Sequence, residues 1–573
     1  MKLTIKAKLD FFAILLGAML LALPDVVSAQ LAYTTNNGTI TITGYNGSPG
    51  NVVIPSTTNG YAVTSIGAYA FGYRTTLASV TIPDSVTNIA NGAFYSCKGL
   101  TNLTIGTNVI GIGNAAFNGS GLTSIAIPDK VTVVGNTALQ NCIDLTNVII
   151  GMSVTSLGNQ PFDHCYKLSA ITVNPTNSLY SSTNGVLFNG NRTTLYEYPM
   201  GRTGTFTVPN SVMFISANSF DHCTNLASVT IGNSGTTISS IGECAFLGCS
   251  GLTNLMIGTN VIGIGFEAFA GCTSLTRVAI PYRVNSIGQD AFSGCSMLTA
   301  ITVDAQNSWF SSVDGVLFDK SQSTIIQYPG GVGGSYTIPE SVTSFGVDAF
   351  GGCTKLTSVA ISDSVTSIGN QAFEGCAGLT NIVIGTNVTS IGAGAFGFCT
   401  GLGSVTIPSS VTNIGWEAFS WCSGLTNITI SASVTSIGDE AFYWCTRLTS
   451  VYFLGNAPNL GSSPFGNTLN AMVYYLPSTT GWKTFDANSG ANSAMLWLPQ
   501  VRTSDGGFGV QSNQFGFNIT WANGSVVVVE ACTNLADPVW TPVGTNTLTG
   551  GSSYFSDSQW TNYPGRFYRL RSQ

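Results

Sequence analysis

At 573 residues the chain is long enough for several ordinary domains, yet only 8% of it is charged, 44% is hydrophobic and 67 residues are glycine. That balance suits closely stacked strands and tight turns and disfavours charged amphipathic helices. The net charge of −7 is thinly spread, with no basic run beyond the extreme N-terminus, which excludes a nucleic-acid partner.

Lys2, Lys6 and Lys8 precede an apolar stretch from Phe11 to Leu23 and the small residues Val27-Ser28-Ala29. The pattern predicts a secretory signal peptide over residues 1–29, cleaved after Ala29. An uncleaved anchor is the rival, but this apolar stretch is shorter than the roughly 20 residues a spanning helix needs. Cleavage would leave a charge of −8. No later segment is apolar enough to span a bilayer, so the mature chain is expected to be secreted or at the cell surface, with no stable membrane span.

Residues 30–65, which include TNNGTITITGYNG, are expected to cap the structure that follows. From Phe71 to Phe442 the chain repeats one motif, approximately L-T-x-I-x-I-P-x-x-V-T-x-I-G-x-x-A-F-x-x-C, mostly at a step of about 23 residues. Consecutive copies begin at Leu356, Leu379, Leu402 and Leu425, for example LTSVAISDSVTSIGNQAFEGC and LTNITISASVTSIGDEAFYWC. A unit this short cannot bury its own apolar residues, so it must stack on its neighbours as a solenoid. L-x-x-L-x-I and V-T-x-I-G read as two short strands, and x-x-A-F-x-x-C as one helical or 3₁₀ turn that points Phe and Cys inward.

These copies resemble the leucine-rich repeats of the BspA-like type, over about residues 60–450. The resemblance implies an exported or surface bacterial protein with a role in adhesion or surface interaction. The predicted fold class is therefore mainly β: a leucine-rich-repeat solenoid over 66–450, with short strands and short helical turns, followed by a small all-β domain. Two steps depart from the period, Phe162 to Phe220 and Phe292 to Phe350, each more than twice its length. They hold matching inserts, near 177–212 and 307–342, that run through G-V-L-F to Y-P, with Asn307 standing where the first has Asn177. Asn184-Gly185 and Asp314-Gly315 predict an extra hairpin or a widened coil in each. Residues 451–500 are expected to be the C-terminal cap, and 508–573 the small all-β terminal module.

Twelve of the 14 cysteines occupy the place three residues after the repeat Phe, whose own position is held by Leu139 in one copy. Stacked in register they point the same way, which predicts a ladder of buried thiols and not a disulfide framework. Cys244 lies off that column and is the expected accessible thiol. The two histidines, His164 and His222, both occur in D-H-C. Their residue types would suit a metal site, but a wide insert separates the copies, so they are expected to be exposed and unligated; no cofactor or metal is expected.

Two residues before the Phe stands an acidic column: Glu267, Asp290, Asp348, Glu417 and Glu440. Neighbouring members could mimic a glycosidase carboxylate pair, but no oxyanion donor or Ser-His pairing accompanies them. They are expected to sit at the start of a short helical turn, facing free N–H groups. Two residues after the Phe the column is Gly248, Gly271, Gly294, Gly352 and Gly375, then Phe398, Trp421 and Trp444, with Trp416 and Tyr443 nearby. These five aromatics are the candidate ligand-binding residues; the competing reading has the C-terminal cap or terminal module covering them. The expected function is non-enzymatic binding or adhesion, with a protein or a surface glycan as partner. Carbohydrate binding by the aromatic strip, or a purely structural envelope role, is the alternative.

Overall fold

A computed structural model describes residues 30–573 apart from 48, 233–236, 469–470, 478, 486–489, 491–493, 536–538 and 564. The expected signal, residues 1–29, lies outside the described residues. Contacts divide the chain into two compact units, one ending at Ser321 but including Pro329–Gly331, the other comprising Gln322–Tyr328 and Val332–Gln573. Each unit is a solenoid of stacked coils built almost wholly from β-strands and turns.

The motif dictates the coil. Its first segment makes strands such as Leu77–Thr81 and Asn102–Thr104, and its second makes Asn88–Ile89 and Gly111–Ile112. Each pairs in parallel with the same segment of the next coil: Val80 lies opposite Leu103, and Ile89 opposite Ile112. The strands are short because each coil must turn three corners within a single repeat. Alternation then buries Val80 and Ile89 and leaves Thr81 and Asn88 outside. A polar ladder adds to the backbone bonds: the Asn91, Asn114 and Asn136 side chains accept the N–H of Asn114, Asn136 and Asn159 at 2.8–2.9 Å.

The third corner carries the Phe column. In the first unit the rings of Tyr45, Phe71, Phe94 and Phe117 stack 4.9–5.5 Å apart, as do Tyr198, Phe220, Phe246, Phe269 and Phe292 at 4.3–5.6 Å. In the second unit Tyr328, Phe350, Phe373, Phe396, Phe419, Phe442 and Phe465 form one stack at 4.6–5.3 Å. Tyr198 and Tyr328 come from the Y-P of the inserts. Each insert therefore does two things. It makes a hairpin, Tyr180–Thr183 against Val186–Asn189 and Phe310–Val313 against Val316–Asp319. It also supplies a ring to the spine.

The N-terminal end of the first unit is closed by a hairpin, with Leu31–Asn36 antiparallel to Thr39–Tyr45. In the second unit the parallel ladder continues beyond residue 450 through Ser450–Phe453, Met472–Tyr475 and Ala494–Leu496. The terminal module is two small antiparallel sheets. One contains Gln514–Thr520 between Gln500–Arg502 and Ser552–Asp557, the other Val526–Cys532 between Thr541–Thr547 and Phe567–Ser572. Its core, which includes Phe517, Ile519, Val527 and Phe555, packs against Leu454, Leu476 and Trp497 of the preceding coils. The Trp521 indole N–H donates to the Trp497 carbonyl at 2.9 Å.

Candidate functional site

The corner around each Phe is not a helix. Single i→i+3 turns follow one another, as in Tyr95 N–H to Gly92 O and Cys97 N–H to Phe94 O. They cannot merge into helix because the residues two before and two after the Phe have left-handed backbone. In the second unit φ is +51° at Glu417, +60° at Trp421, +52° at Glu440 and +57° at Trp444. The N–H of these residues bonds to the next coil: Glu417 to Asp439 O, Trp421 to Tyr443 O and Glu440 to Ser462 O. The expectation that free N–H groups favour the acidic column is therefore corrected. Burial pushes the Glu417 carboxyl above the usual range, and the negative charges of Glu440 and Glu374 add to the effect.

The same backbone explains the glycines. Gly248, Gly271, Gly294, Gly352 and Gly375 all have φ between +66° and +70°, where a Cβ is strained. Phe398, Trp421 and Trp444 accept that strain, with φ +57° to +60°. Their rings form a flat stack, Phe398 to Trp421 at 5.8 Å and 10°, Trp421 to Trp444 at 4.8 Å and 2°. Tyr443 meets Trp444 edge-on at 6.3 Å. Trp416 lies outside the stack and is the most exposed of the five. The three stacked rings are 37–44% exposed, so neither cap nor terminal module covers them. The outer surface of this corner thus presents a ladder of stacked aromatic ring edges, and the carboxylates of Glu374, Glu417 and Glu440 lie near one another.

All 14 cysteines are free, and 13 are buried. Cys376, Cys399, Cys422 and Cys445 each donate S–H to the carbonyl of the repeat Phe one coil back, at 3.1–3.2 Å. Cys244 is half-buried, with its Sγ 3.6 Å from Glu267 Oε2. The histidines are not kept apart by the insert. The rings of His164 and His222 lie 5.5 Å apart. Each Nδ1 faces its preceding aspartate, Asp163 at 2.7 Å and Asp221 at 2.6 Å. Among the described residues, no group of three or more His, Cys, Asp or Glu is placed to hold a metal ion. No helix among them is long and apolar enough to cross a membrane.

Stacked parallel coils with an aromatic spine at one fixed place in the repeat define a leucine-rich-repeat protein. The profile of the BspA type leucine rich repeat region matches residues 63–186, 197–324, 334–402 and 366–491, and the chain belongs to that family. Among solved structures, a leucine rich cell surface protein from Faecalibacterium prausnitzii is 30% identical over 74% of this chain and 94% of that one, with a TM-score of 0.41. A leucine-rich repeat protein from Bacteroides ovatus is 23% identical over 74% and 93%, with a TM-score of 0.36. The pneumococcal vaccine antigen PcpA is 17% identical over 82% and 97%, with a TM-score of 0.39. No curated protein matches the chain.

Proposed function

We propose that this chain is an exported, non-enzymatic binding protein of the bacterial cell surface, and that the corner bearing Phe398, Trp421 and Trp444 is the face that meets its partner, a protein or a surface polymer. Membership of the BspA-type family supports the surface role. The observation that carries the site is the choice of residues. Three parallel, stacked rings occupy left-handed backbone positions that six other coils give to glycine, and they remain open to solvent. Strain of this kind costs of order 1–3 kcal/mol per residue, and Tyr73, Ser96, Asn141, His164 and His222 bear it in the same column, so what distinguishes this corner is the run of three exposed rings. A rigid stack whose ring edges stay open to solvent suits the hot spot of a protein interface, or the apolar patches of a sugar polymer lying across the stack.

The test replaces Trp421 and Trp444 together by Gly, the residue their column already uses. Purified wild type and variant are applied to a glycan array and to a panel of immobilised extracellular-matrix proteins. Loss of binding with an unchanged circular dichroism spectrum supports the reading. Undiminished binding by the variant refutes it. Sugar binding that depends on the rings favours the carbohydrate reading over a protein partner.

A further inference from the structure

The first insert opens a cavity of about 380 Å³ in the first unit, lined by Leu157, Tyr180, Leu187, Tyr196, Glu197 and Asn218 among others. Its aromatic wall is the pair Tyr180 and Tyr196, with centroids 5.7 Å apart and planes inclined at 57°. Tyr180 is fixed in place, because its hydroxyl oxygen accepts the Leu157 N–H at 3.1 Å. Glu197 ends the strand Thr194–Glu197 and turns into the cavity half-buried.

The charges are one-sided. Asp163 accepts a hydrogen bond from Gln140 Nε2 and lies beside the His164 ring, and Asp221 is hydrogen-bonded to His222. Glu197 has no such partner: no described residue donates a hydrogen bond to its carboxylate. Burial and the negative charges of Asp163 and Asp221 push its carboxyl well above the ordinary range. No lysine or arginine is among the described residues that line the cavity. A half-buried carboxyl that faces two other acids and no basic side chain ionises more readily when a cation sits beside it, so the chemistry that best completes this site is a cation.

The second insert serves as an internal control. At its equivalent positions, Tyr180, Tyr196 and Glu197 are replaced by Phe310, Ile326 and Gln327. Phe310 and Gln327 are buried, and the Gln327 amide donates to the carbonyls of Tyr328 and Ala349 at 3.3 and 3.4 Å. The second insert thus has neither the tyrosine pair nor the acid in its sequence, and its Gln327 is satisfied by the protein.

We propose that the first insert is a binding pocket for a compact organic cation, an alkylammonium or guanidinium group that lies against Tyr180 and Tyr196 and pairs with Glu197. Attraction of the cation to the ring faces and a charge-assisted hydrogen bond to the carboxylate supply the recognition. The two sources of such a group are a free amine and a lysine or arginine side chain of a peptide.

Isothermal titration of the whole chain uses spermidine, a lysine-containing peptide, an arginine-containing peptide and neutral methyl glucoside. Saturable one-to-one binding of at least one cation, with none by the glucoside, is expected. Spermidine alone binding identifies a free amine, and peptide binding identifies a side chain. Glu197→Gln, the residue already tolerated at 327, is expected to weaken binding about tenfold or more, as loss of a charge-assisted bond does. Tyr196→Ile should weaken it independently. Glu340→Gln, an exposed acid away from both candidate sites, should leave it unchanged. Absence of cation binding, equal binding by the glucoside, or an unaltered affinity in Glu197→Gln overturns the proposal.

Discussion

Replacing Trp421 by alanine or by glycine removes the same ring, so the difference between the two variants isolates the backbone. At an ordinary position alanine is the more stabilising residue, by about 0.5–1 kcal/mol, because glycine loses more chain entropy on folding. At Trp421 φ is +60°. There a Cβ costs roughly 1–2 kcal/mol and glycine pays nothing for the conformation. The balance reverses, and Trp421→Gly should exceed Trp421→Ala by about 0.5–1 kcal/mol. With m of about 3 kcal/mol/M or more for a chain of this length, the urea midpoint should be higher by up to roughly 0.2–0.3 M. Trp416, whose φ is not in the left-handed region, is the control; there alanine should be the more stable variant. Equilibrium urea unfolding followed by far-UV circular dichroism reads both pairs. If alanine proves more stable than glycine at 421 as well, the corner geometry is wrong and the strain argument for the site falls with it.

Four further outcomes are expected. Phe396→Ala, which empties a fully buried position between two stacked rings, should cost about 3–5 kcal/mol in urea unfolding. With a thiol reagent, no more than one of the 14 cysteines, Cys244, should titrate in the native chain, and slowly, since burial and Glu267 push its thiol up to about 11; all should react in denaturant. Arg569 and Arg571 hydrogen-bond to Glu530 and hold its carboxyl below the usual range. That contribution is complete above the unfolded value of about 4.3 and lost as pH falls through the folded one, so the stability gap between wild type and Glu530→Gln should close on acidification. Truncation near Gln500 uncovers Leu454, Leu476 and Trp497, and light scattering should show the shortened chain self-associating.

The architecture was legible because one period places Leu, Ile, Val, Phe and Cys at fixed points, and burial acts on each column alike. The Phe column was read without Tyr198 and Tyr328, which follow the preceding Phe by well over one period and lack the A-F-x-x-C context that marks the other rings. The glycines before Phe398 were visible as a column, but their cause was not. Left-handed backbone leaves a mixed signature of Gly, Asn, Asp and Glu, and Ser96, His164 and Trp421 show that other residues adopt it too. The proximity of the histidines depends on how an insert folds back, a long-range fact that spacing alone does not encode. The docking of the terminal module was hidden for the same reason, since Trp497 reads as an ordinary apolar residue until Trp521 is placed beside it.

The thiol spine sets a race during biogenesis. A chain that folds beyond the cytoplasmic membrane, as proposed here, emerges among oxidants with 13 sulfurs destined for the interior. Within the spine an S–H reaches its acceptor only one coil back, so closing a single turn of the solenoid withdraws a sulfur from chemistry. Fast, local zippering therefore protects the chain, and any lesion that stalls it, such as a missing ring in the spine, would be punished by scrambled cross-links before it was felt as lost stability.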